Sequence, residues 1–355
     1  MNIFSNLSVL DLSTVLAGPS VASFFAELGA RVIKVENPNT NGDVTRSWRH
    51  KLESSSAIYS AYYASANYDK EIIFLDLTDP SHRKKIRDLI YTSDIVLTNF
   101  KNGDAEKFEL TSADIHSINP ICIHGKITGF ASDHSRVAYD VVLQAETGYM
   151  SMNGTETTTK IPVAIADIMA AHQLKQGILC ALIKRSSDNK GSVVECSLEQ
   201  SAISALVNQA SVYLMTGNES RQQGSLHPSI APYGEVINCA DASEIVLAIG
   251  TDKQFQEFCH CIELPSLLED SRFSNNPLRV QNRIDLKTLI NEQMQSRSAT
   301  EWISEFKRRN IPAGVIKSLS QVFESPTAID MIRIQKKNGE ELKSVSQLAF
   351  KIESA

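Results

Sequence analysis

The first part of the chain alternates between short apolar runs and stretches with helical spacing. The segments SVLDLS (8–13) and RVIKVE (31–36) have strand length, and VASFFAEL between them places apolar side chains on one helical stripe. Gly29 follows that stripe at the position where many helices end. The alternation continues with predicted strands at 71–77, 94–100, 120–127 and 192–198 and predicted helices at about 80–91, 139–149 and 167–184 and up to about 215. Strands that alternate with helices predict an α/β fold with a parallel, doubly wound sheet.

The pattern changes near residue 222. Residues 234–250 predict a hairpin with Asp241 in its turn, and 311–317 predict a last strand. Between them, short helices are predicted around 254–261, 281–295 and 300–308. We therefore divide the chain into a large domain (1–221), a small α+β domain (222–320) and a C-terminal return segment (321–355) that we expect to pack on the large domain.

The composition of the chain argues against nucleic-acid-binding, membrane-spanning, secreted and metal-binding proteins. The 355 residues carry 35 Lys and Arg against 41 Asp and Glu, which argues against a nucleic-acid partner. No apolar run reaches the roughly 18 residues of a membrane helix, and the N-terminal residues have neither the basic nor the apolar region of a secretory signal. The six cysteines are scattered, and CHC (259–261) lacks a second pair of zinc ligands. We therefore expect reduced thiols, no metal site and no membrane partner, in a cytoplasmic protein.

Short motifs exclude several catalytic classes. The chain has no GxG, and its first strand-to-helix turn contains one glycine, Gly18, where a dinucleotide fingerprint needs three. A nicotinamide-dependent oxidoreductase is therefore only a weak alternative. The chain also lacks the phosphate-binding GxxxxGK[ST], the GxSxG nucleophile elbow and the zinc-binding HExxH.

A series of longer blocks carries a family resemblance through nearly the whole chain. The blocks include VLDLSTVLAGP (9–19), ELGARVIKVE (27–36), GDVTRSW (42–48), TNFKNGDAEKF (98–108), AYDVVLQAETGYMSMNG (138–154), IPVAIADIMAA (161–171) and IPAGVI (311–316). In these blocks the chain resembles the family III CoA-transferases, which include formyl-CoA transferase, carnitine CoA-transferase and the α-methylacyl-CoA racemases. The resemblance implies a Rossmann-like large domain that binds CoA, a small domain that helps to close the active site, and an interlocked homodimer.

The resemblance implies that Asp167 is the catalytic nucleophile. In transferases of this family the matching carboxylate takes the acyl group of acyl-CoA as a mixed anhydride and then becomes an aspartyl-CoA thioester, which the incoming acid attacks. No tightly bound cofactor is implied, because acyl-CoA and a small carboxylic acid are both substrates. Asp167 also opens a predicted helix, whose N-terminus would favour the ionised carboxylate by about 0.3–1 kcal/mol. A plain N-cap aspartate is the alternative interpretation of this position.

The segment before the corresponding helix separates transferases from racemases. Racemases of this family place a catalytic histidine in a GHDxNY-like segment, whereas this chain has Tyr139 and Asp140, a pair similar to that of the transferases. His134, in the loop ASDHSR, leaves the racemase open as an alternative. Elsewhere, SLHPSIAPYGEV (225–236) lacks the glycine run of formyl-CoA transferase and resembles members that act on branched or dicarboxylic acids.

The resemblance further implies where CoA binds. Backbone amides of the first strand-to-helix turn would face the thioester and the pantetheine arm. Lys107 would contact a phosphate, Lys34 and Lys70 are assigned to the adenosine end, and Arg46 would reach a phosphate or the dimer interface. The implied CoA-binding residues are Thr14, Val15, Leu16, Ala17, Lys34, Lys70, Asn99, Phe100, Lys107, Tyr139 and Asp140.

These observations lead to one expected function and two principal alternatives. We expect a CoA-transferase that moves CoA from an acyl-CoA donor to a free carboxylic acid. A 2-methylacyl-CoA racemase of the same family would instead exchange the α-hydrogen of its substrate without an acceptor acid. A non-catalytic CoA-binding protein would bind CoA and transfer no acyl group.

Overall fold

A parallel sheet of six strands forms the centre of the first unit of the chain. The computed structural model describes residues 2–353. Neighbouring strands follow the order β3-β2-β1-β4-β5-β6, and every pairing is parallel. The strands are β1 (Ser8–Asp11), β2 (Arg31–Glu36), β3 (Glu71–Phe74), β4 (Ile95–Thr98), β5 (Ile123–Thr128) and β6 (Ser192–Ser197). The predicted parallel α/β sheet is confirmed.

The strand order reverses beside β1. This strand pairs with β2 on one side and with β4 on the other, so that Leu10 lies opposite both Ile33 and Val96. The chain runs outward from β1 to β3 and then crosses back to begin the other half of the sheet at β4. The loops after β1 and β4 therefore diverge at the carboxyl edge of the sheet and leave a crevice, which is where open α/β sheets bind ligands.

Helices cover both faces of this sheet. In chain order, the helices of the structure are α1 (Ala17–Glu27), α2 (Ala61–Ala66), α3 (Pro80–Tyr91), α4 (Asp104–Phe108), α5 (Ser112–Ile118), α6 (Asp140–Glu146), α7 (Tyr149–Met152), α8 (Ile165–Asp188), α9 (Leu198–Ser204), α10 (Val207–Thr216), α11 (Asp252–Cys261), α12 (Ser266–Glu269), α13 (Asn276–Gln281), α14 (Arg283–Met294), α15 (Ala299–Arg308), α16 (Leu319–Val322) and α17 (Pro326–Asp330). On one face, α1 and α8 bury Phe25, Leu174 and Ile178. On the other, α3 and α5 bury Ile86 and Ile115.

The longest helix, α8, positions Asp167. It extends over 24 residues, and its buried side includes Ala170, Leu174 and Ile178 at helical spacing. Charged residues such as Lys184 and Arg185 occupy its last turns. Among residues 2–353, neither this helix nor any other combines the length and the apolar composition that crossing a membrane requires.

A second unit is formed by Ser151–Thr159 and Arg221–Ile329. Its antiparallel sheet has the order β7-β8-β9, with β7 (Tyr233–Asn238), β8 (Glu244–Ala248) and β9 (Ala313–Val315). The core of this unit contains Trp302, whose indole N–H donates to the carbonyl of Met294 at 2.8 Å. The predicted boundaries of 222–320 left out 151–159 and 321–329, because these short segments carry no apolar periodicity that assigns them to either unit.

A hairpin that the sequence analysis did not predict joins the first unit near the end of the chain. Its strands are β10 (Ile332–Lys337) and β11 (Glu340–Val345). The Glu340 carboxylate accepts a hydrogen bond from the backbone N–H of Ile58 at 2.7 Å, and Glu27 accepts one from the Ser346 hydroxyl at 2.5 Å. Both strands carry many charged residues, which obscured their alternating pattern.

The sequence analysis also missed three short helices in the first unit, α2, α4 and α5. Each has at most seven residues, which is too short for a repeating apolar stripe. A local signal did exist for α5, because Thr111 and Asp114 form a capping box at its start. The single helix predicted up to about residue 215 is divided into α9 and α10.

Candidate active site

A cavity of about 820 Å³ opens at the carboxyl edge of the parallel sheet. This volume lies within the range of about 300–1,000 Å³ that is common for ligand pockets. The wall is built by the segments that follow β1, β4 and β5 and by the start of α8. Of the residues singled out from the sequence, the wall contains Thr14, Val15, Ala17, Asn99, Phe100, Tyr139 and Asp167.

Two reciprocal hydrogen bonds join the loops that follow β1 and β4. The Asn99 side-chain oxygen accepts from the backbone N–H of Thr14 at 2.9 Å, and the Asn99 side-chain N–H donates to the Thr14 carbonyl at 2.8 Å. The two loops lie 85 positions apart in the chain. Asn99 therefore fixes the position of the β1–α1 turn at the crevice.

The β1–α1 turn contains an unusual backbone conformation. Val15 has a φ angle of +72°, a left-handed conformation that β-branched residues rarely adopt. Its N–H donates to the Asp43 carboxylate at 3.2 Å. Leu16 is the N-cap of α1, forms no side-chain bond to the helix amides and is absent from the cavity wall. Thr14, Val15 and Ala17 are on the wall, and the assignment of Leu16 to the CoA-binding turn stays a prediction.

Asp167 lies at the third position of α8. The helix begins at Ile165 and its N-cap is Ala164, so the interpretation of Asp167 as an N-cap is wrong. Within residues 2–353, no group donates a hydrogen bond to the Asp167 carboxylate, and none forms an ion pair with it. This carboxylate faces the cavity and is available to a ligand.

Asp140 caps the helix that carries Asp167. One oxygen of its carboxylate accepts from the backbone N–H of Ala166 at 2.8 Å, and the other accepts from the Gln144 side chain at 2.7 Å. Asp140 is absent from the cavity wall, unlike the exposed Tyr139 before it. Its assignment as a CoA-binding residue stays a prediction, and its predicted place in the first turn of α6 is confirmed.

The electrostatic surroundings of Asp167 differ from the sequence-based expectation. Burial, and after it the charge of Asp140, raises the pKa of Asp167 to about 7. The N-terminus of α8 would favour the ionised form by only about 0.3–1 kcal/mol, which desolvation outweighs. The expectation that the helix keeps this carboxylate ionised is therefore wrong.

Lys34 and Lys70 do not reach the cavity. Both side chains are fully buried, with Lys70 Nζ 2.9 Å from the Asp11 carboxylate and Lys34 Nζ 3.1 Å from the Asp43 carboxylate. Burial lowers the pKa of Lys70 to about 8, although Asp11 opposes this shift. Both ammonium groups form ion pairs inside the protein, and their assignment to the adenosine end of CoA stays a prediction.

Arg46 is also occupied by the protein itself. Its guanidinium donates to Glu36 at 2.6 Å and lies 4.2 Å from the centre of the Tyr63 ring. Gly42 leaves the room for this pair, because a Cβ atom there would lie 2.1 Å from the Glu36 carboxylate. Arg46 is absent from the cavity wall, so it is not placed to contact a ligand in the cavity.

The cations on the cavity wall differ from those chosen from the sequence. Lys107 is exposed on α4 and is absent from the wall; its assignment as a residue that contacts a CoA phosphate stays a prediction. Lys101, Lys126 and Arg136 line the cavity instead. The last two form ion pairs with acidic residues, whereas Lys101 has no ion pair among the described residues. Its place directly after Phe100, in a matched block, was the signal that could have identified it.

Two histidines contribute to the same wall. His134 is exposed in its loop, and His124 is buried between the hydroxyls of Thr98 and Ser112, each 2.9 Å from a ring nitrogen. Burial lowers the pKa of His124 to about 4, so that its ring is neutral at physiological pH. Across residues 2–353, the His, Cys, Asp and Glu side chains form no group of three or more that could hold a metal ion.

Comparison with known proteins agrees with the resemblance seen in the sequence. The curated succinate–glutarate CoA-transferase of Agrobacterium fabrum is 32% identical over 330 residues, covering 91% of this chain and 82% of that protein. The succinyl-CoA:glutarate CoA-transferase of Homo sapiens is also 32% identical, covering 91% of this chain and 74% of that protein.

Comparison with solved structures finds a similar fold. A crystal structure of a CAIB/BAIF family protein from Brucella suis superposes with a TM-score of 0.87 at 31% identity, covering 98% of this chain and 92% of that one. The sequence model of CoA-transferase family III matches residues 4–354. The chain therefore belongs to CoA-transferase family III and is a transferase enzyme.

Proposed function

We propose that the protein transfers CoA from an acyl-CoA to a free carboxylic acid, with Asp167 as the nucleophile. The observation that carries this proposal is the Asp167 carboxylate, which faces the cavity without a hydrogen-bond donor in the described part of the chain. The β1–α1 turn, formed by residues 14–17, contributes to the same wall. A thioester bound along that turn would lie close to the Asp167 carboxylate, which has a raised pKa.

The reaction proceeds by exchange of acyl groups on Asp167. Its carboxylate oxygen attacks the thioester carbonyl, the C–S bond breaks, and CoA leaves as a thiolate. The thiolate attacks the Asp167 carbonyl of the resulting anhydride and releases the donor acid as a carboxylate. The acceptor carboxylate then displaces the thiolate from the aspartyl-CoA thioester, and the thiolate attacks the acceptor carbonyl of the second anhydride. The new acyl-CoA leaves, Asp167 is regenerated, and no net proton is consumed.

The substrates that we propose are short dicarboxylic acids and their CoA thioesters. This choice is supported by the names of similar proteins, which include succinate–glutarate and succinyl-CoA:mesaconate CoA-transferases. The segment HPSIAPYG (227–234) supports it as well, through its likeness to members that act on branched or dicarboxylic acids. We place the reaction in the cytoplasm, because the six cysteines are free thiols. A racemase is not favoured, since the similar curated proteins named here are CoA-transferases.

We further propose that the active form is an interlocked homodimer with a Rossmann-like large domain in each subunit. Helix α10 supports a large interface, because none of its residues is buried and Leu214 and Met215 are 80% and 86% exposed. Val207 and Tyr213 add to this apolar surface. Contiguous apolar surface of this kind marks interaction sites on proteins.

Substitution of Asp167 tests the nucleophile. Incubation with succinyl-CoA alone should label the peptide that contains Asp167, and hydroxylamine should convert the adduct to a hydroxamate, as mass spectrometry will show. Asp167→Asn should lose the adduct and several powers of ten in kcat. Asp188→Asn, at the opposite end of the same helix, is the matched control and should retain both. Transfer at a near-native rate by Asp167→Asn would exclude this nucleophile.

The raised pKa of Asp167 predicts a pH-dependent rate. Because the ionised form attacks the thioester, kcat/KM for acyl-CoA should fall about tenfold per pH unit below about 7. Asp140→Asn removes a negative charge and keeps a good capping residue, so the midpoint should move to lower pH. A midpoint that is the same in both proteins would contradict the proposed coupling.

The same pKa makes a prediction about stability. Asp167 binds a proton more tightly in the folded protein than in the unfolded chain, whose ordinary value is 3.8. The contribution of Asp167 to folding stability is therefore lost as the pH rises from about 4 to about 7. Thermal melts should show Asp167→Asn gaining stability relative to the wild type across this interval, and a constant difference would contradict the raised pKa.

The cations of the cavity wall can be separated by a matched pair of variants. Lys101→Ala should raise the KM for acyl-CoA roughly tenfold at low salt with kcat nearly unchanged, because it removes a contact made equally in the ground and transition states. Lys85→Ala removes the same charge from an exposed residue of α3 that is absent from the wall, and it should leave KM unchanged. Equal KM values for the two variants would remove Lys101 from the CoA site.

Sedimentation tests the assembly. The wild type should sediment at about twice 39.2 kDa at nanomolar concentration, as obligate dimers do. Met215→Glu should weaken the dimer, whereas Leu52→Glu, at a similarly exposed residue of 85% outside α10, should not. An active wild-type monomer at this concentration would refute the proposal.

A further inference from the structure

Beneath the β1–α1 turn lies a pair of charges that never reaches the surface. Lys34 and Asp43 have no exposed side-chain area and lie 3.1 Å apart. Lys34 Nζ donates to the Ser13 carbonyl at 2.7 Å, and Asp43 Oδ2 accepts from the N–H of Val15 at 3.2 Å. The pair thus forms hydrogen bonds with the backbone on both sides of Thr14, at Ser13 and at Val15.

The orientation of the Asp43 carboxylate is fixed from several directions. Its other oxygen accepts from the backbone N–H of Thr45 at 3.0 Å and from the Thr45 hydroxyl at 2.8 Å. The backbone N–H of Asp43 donates to Glu36 at 3.1 Å. Both carboxylate oxygens of Asp43 therefore accept hydrogen bonds. Rotation of the carboxylate away from Val15 would break its hydrogen bonds with Thr45 as well.

Val15 requires such a support. Its φ angle of +72° places a β-branched side chain in the left-handed region, which persists only where the surroundings impose it. The same residue lies on the cavity wall with Thr14, Ala17 and Asp167. The bond from the Val15 N–H to Asp43 is therefore one of the contacts that hold this turn at the cavity wall.

We propose that Asp43 is a positioning residue for CoA transfer, which it supports by holding Val15 in the left-handed conformation, with Lys34 as its anchor. The inference rests on the proposed function. Asp43 itself is buried and absent from the cavity wall, so its influence on the reaction passes through the β1–α1 turn.

The test separates backbone conformation from charge by a rescue experiment. Asp43→Ala should lower kcat for CoA transfer from succinyl-CoA to glutarate by about 10- to 100-fold and change the KM for succinyl-CoA by less than about threefold. Adding Val15→Gly should restore kcat at least fivefold, because glycine adopts positive φ without support. Adding Val15→Ala should restore nothing. Ser47→Ala, which removes a nearby hydroxyl that donates to the Val44 carbonyl and not to Asp43, is the control that should stay within about threefold of the wild type.

Either of two kinetic outcomes would overturn the inference: unchanged kcat in Asp43→Ala, or equal kcat in the glycine and alanine double variants. If Asp43→Ala does not fold, Asp43→Leu, which has no acceptor for the Val15 N–H and is closer to aspartate in size, is assessed by the same criteria. Hydrogen exchange of the Val15 amide, measured without substrate, keeps the inference distinct from the proposed function. This exchange should be faster in Asp43→Ala than in the wild type, and an equal rate would also overturn the inference. A wild type that transfers no CoA would instead refute the proposed function alone.

Discussion

Two carboxylates and two ammonium groups are removed from water beneath the β1–α1 turn, and their mutual neutralisation allows the turn to lie where it does. Burial alone would raise the pKa of Asp11, but Lys34 and Lys70 outweigh it and lower that pKa. Burial would lower the pKa of Lys34, but Asp11, Asp43 and Glu36 raise it. Removing one partner from such a cluster leaves an uncompensated buried charge, which typically costs about 3–5 kcal/mol. The same buried charges contact the β1–α1 turn of the cavity wall and join neighbouring strands of the sheet.

The carboxylate that faces the cavity has the opposite environment. Asp167 has burial without a cation, and its neighbour Asp140 adds a like charge. A carboxylate with a raised pKa is more basic, and hence more nucleophilic, than an ordinary one, at the expense of the ionised fraction at lower pH. Two kinds of carboxylate therefore lie near this edge of the sheet. Asp11 and Asp43 stabilise the fold through their ion pairs with lysines. Asp167 has no such partner among residues 2–353 and is left reactive.

Sequence reasoning succeeded where periodicity or a block of matched residues was long. The six parallel strands and α8 follow from apolar spacing, and matched blocks identified Asn99 and Asp167, which the structure brings to one cavity. It did not predict that Lys34 and Lys70 are buried in ion pairs, because the sequence around a lysine at a strand does not show whether its side chain contacts a ligand or a buried carboxylate. Lys101 and the left-handed Val15 depend on three-dimensional placement, which no local pattern encodes.

The setting of Lys70 has a consequence for an enzyme that handles thioesters. An amine with a pKa of about 8 is largely neutral above that pH, and a neutral amine attacks thioesters to form a permanent amide. In its protonated form Lys70 donates its three N–H bonds to Asp11, to the carbonyl of Pro19 and to Asn67, and its side chain has no exposed area. An acyl-CoA held in the neighbouring cavity cannot reach this nitrogen. The buried network therefore keeps an amine of lowered pKa out of contact with the cavity.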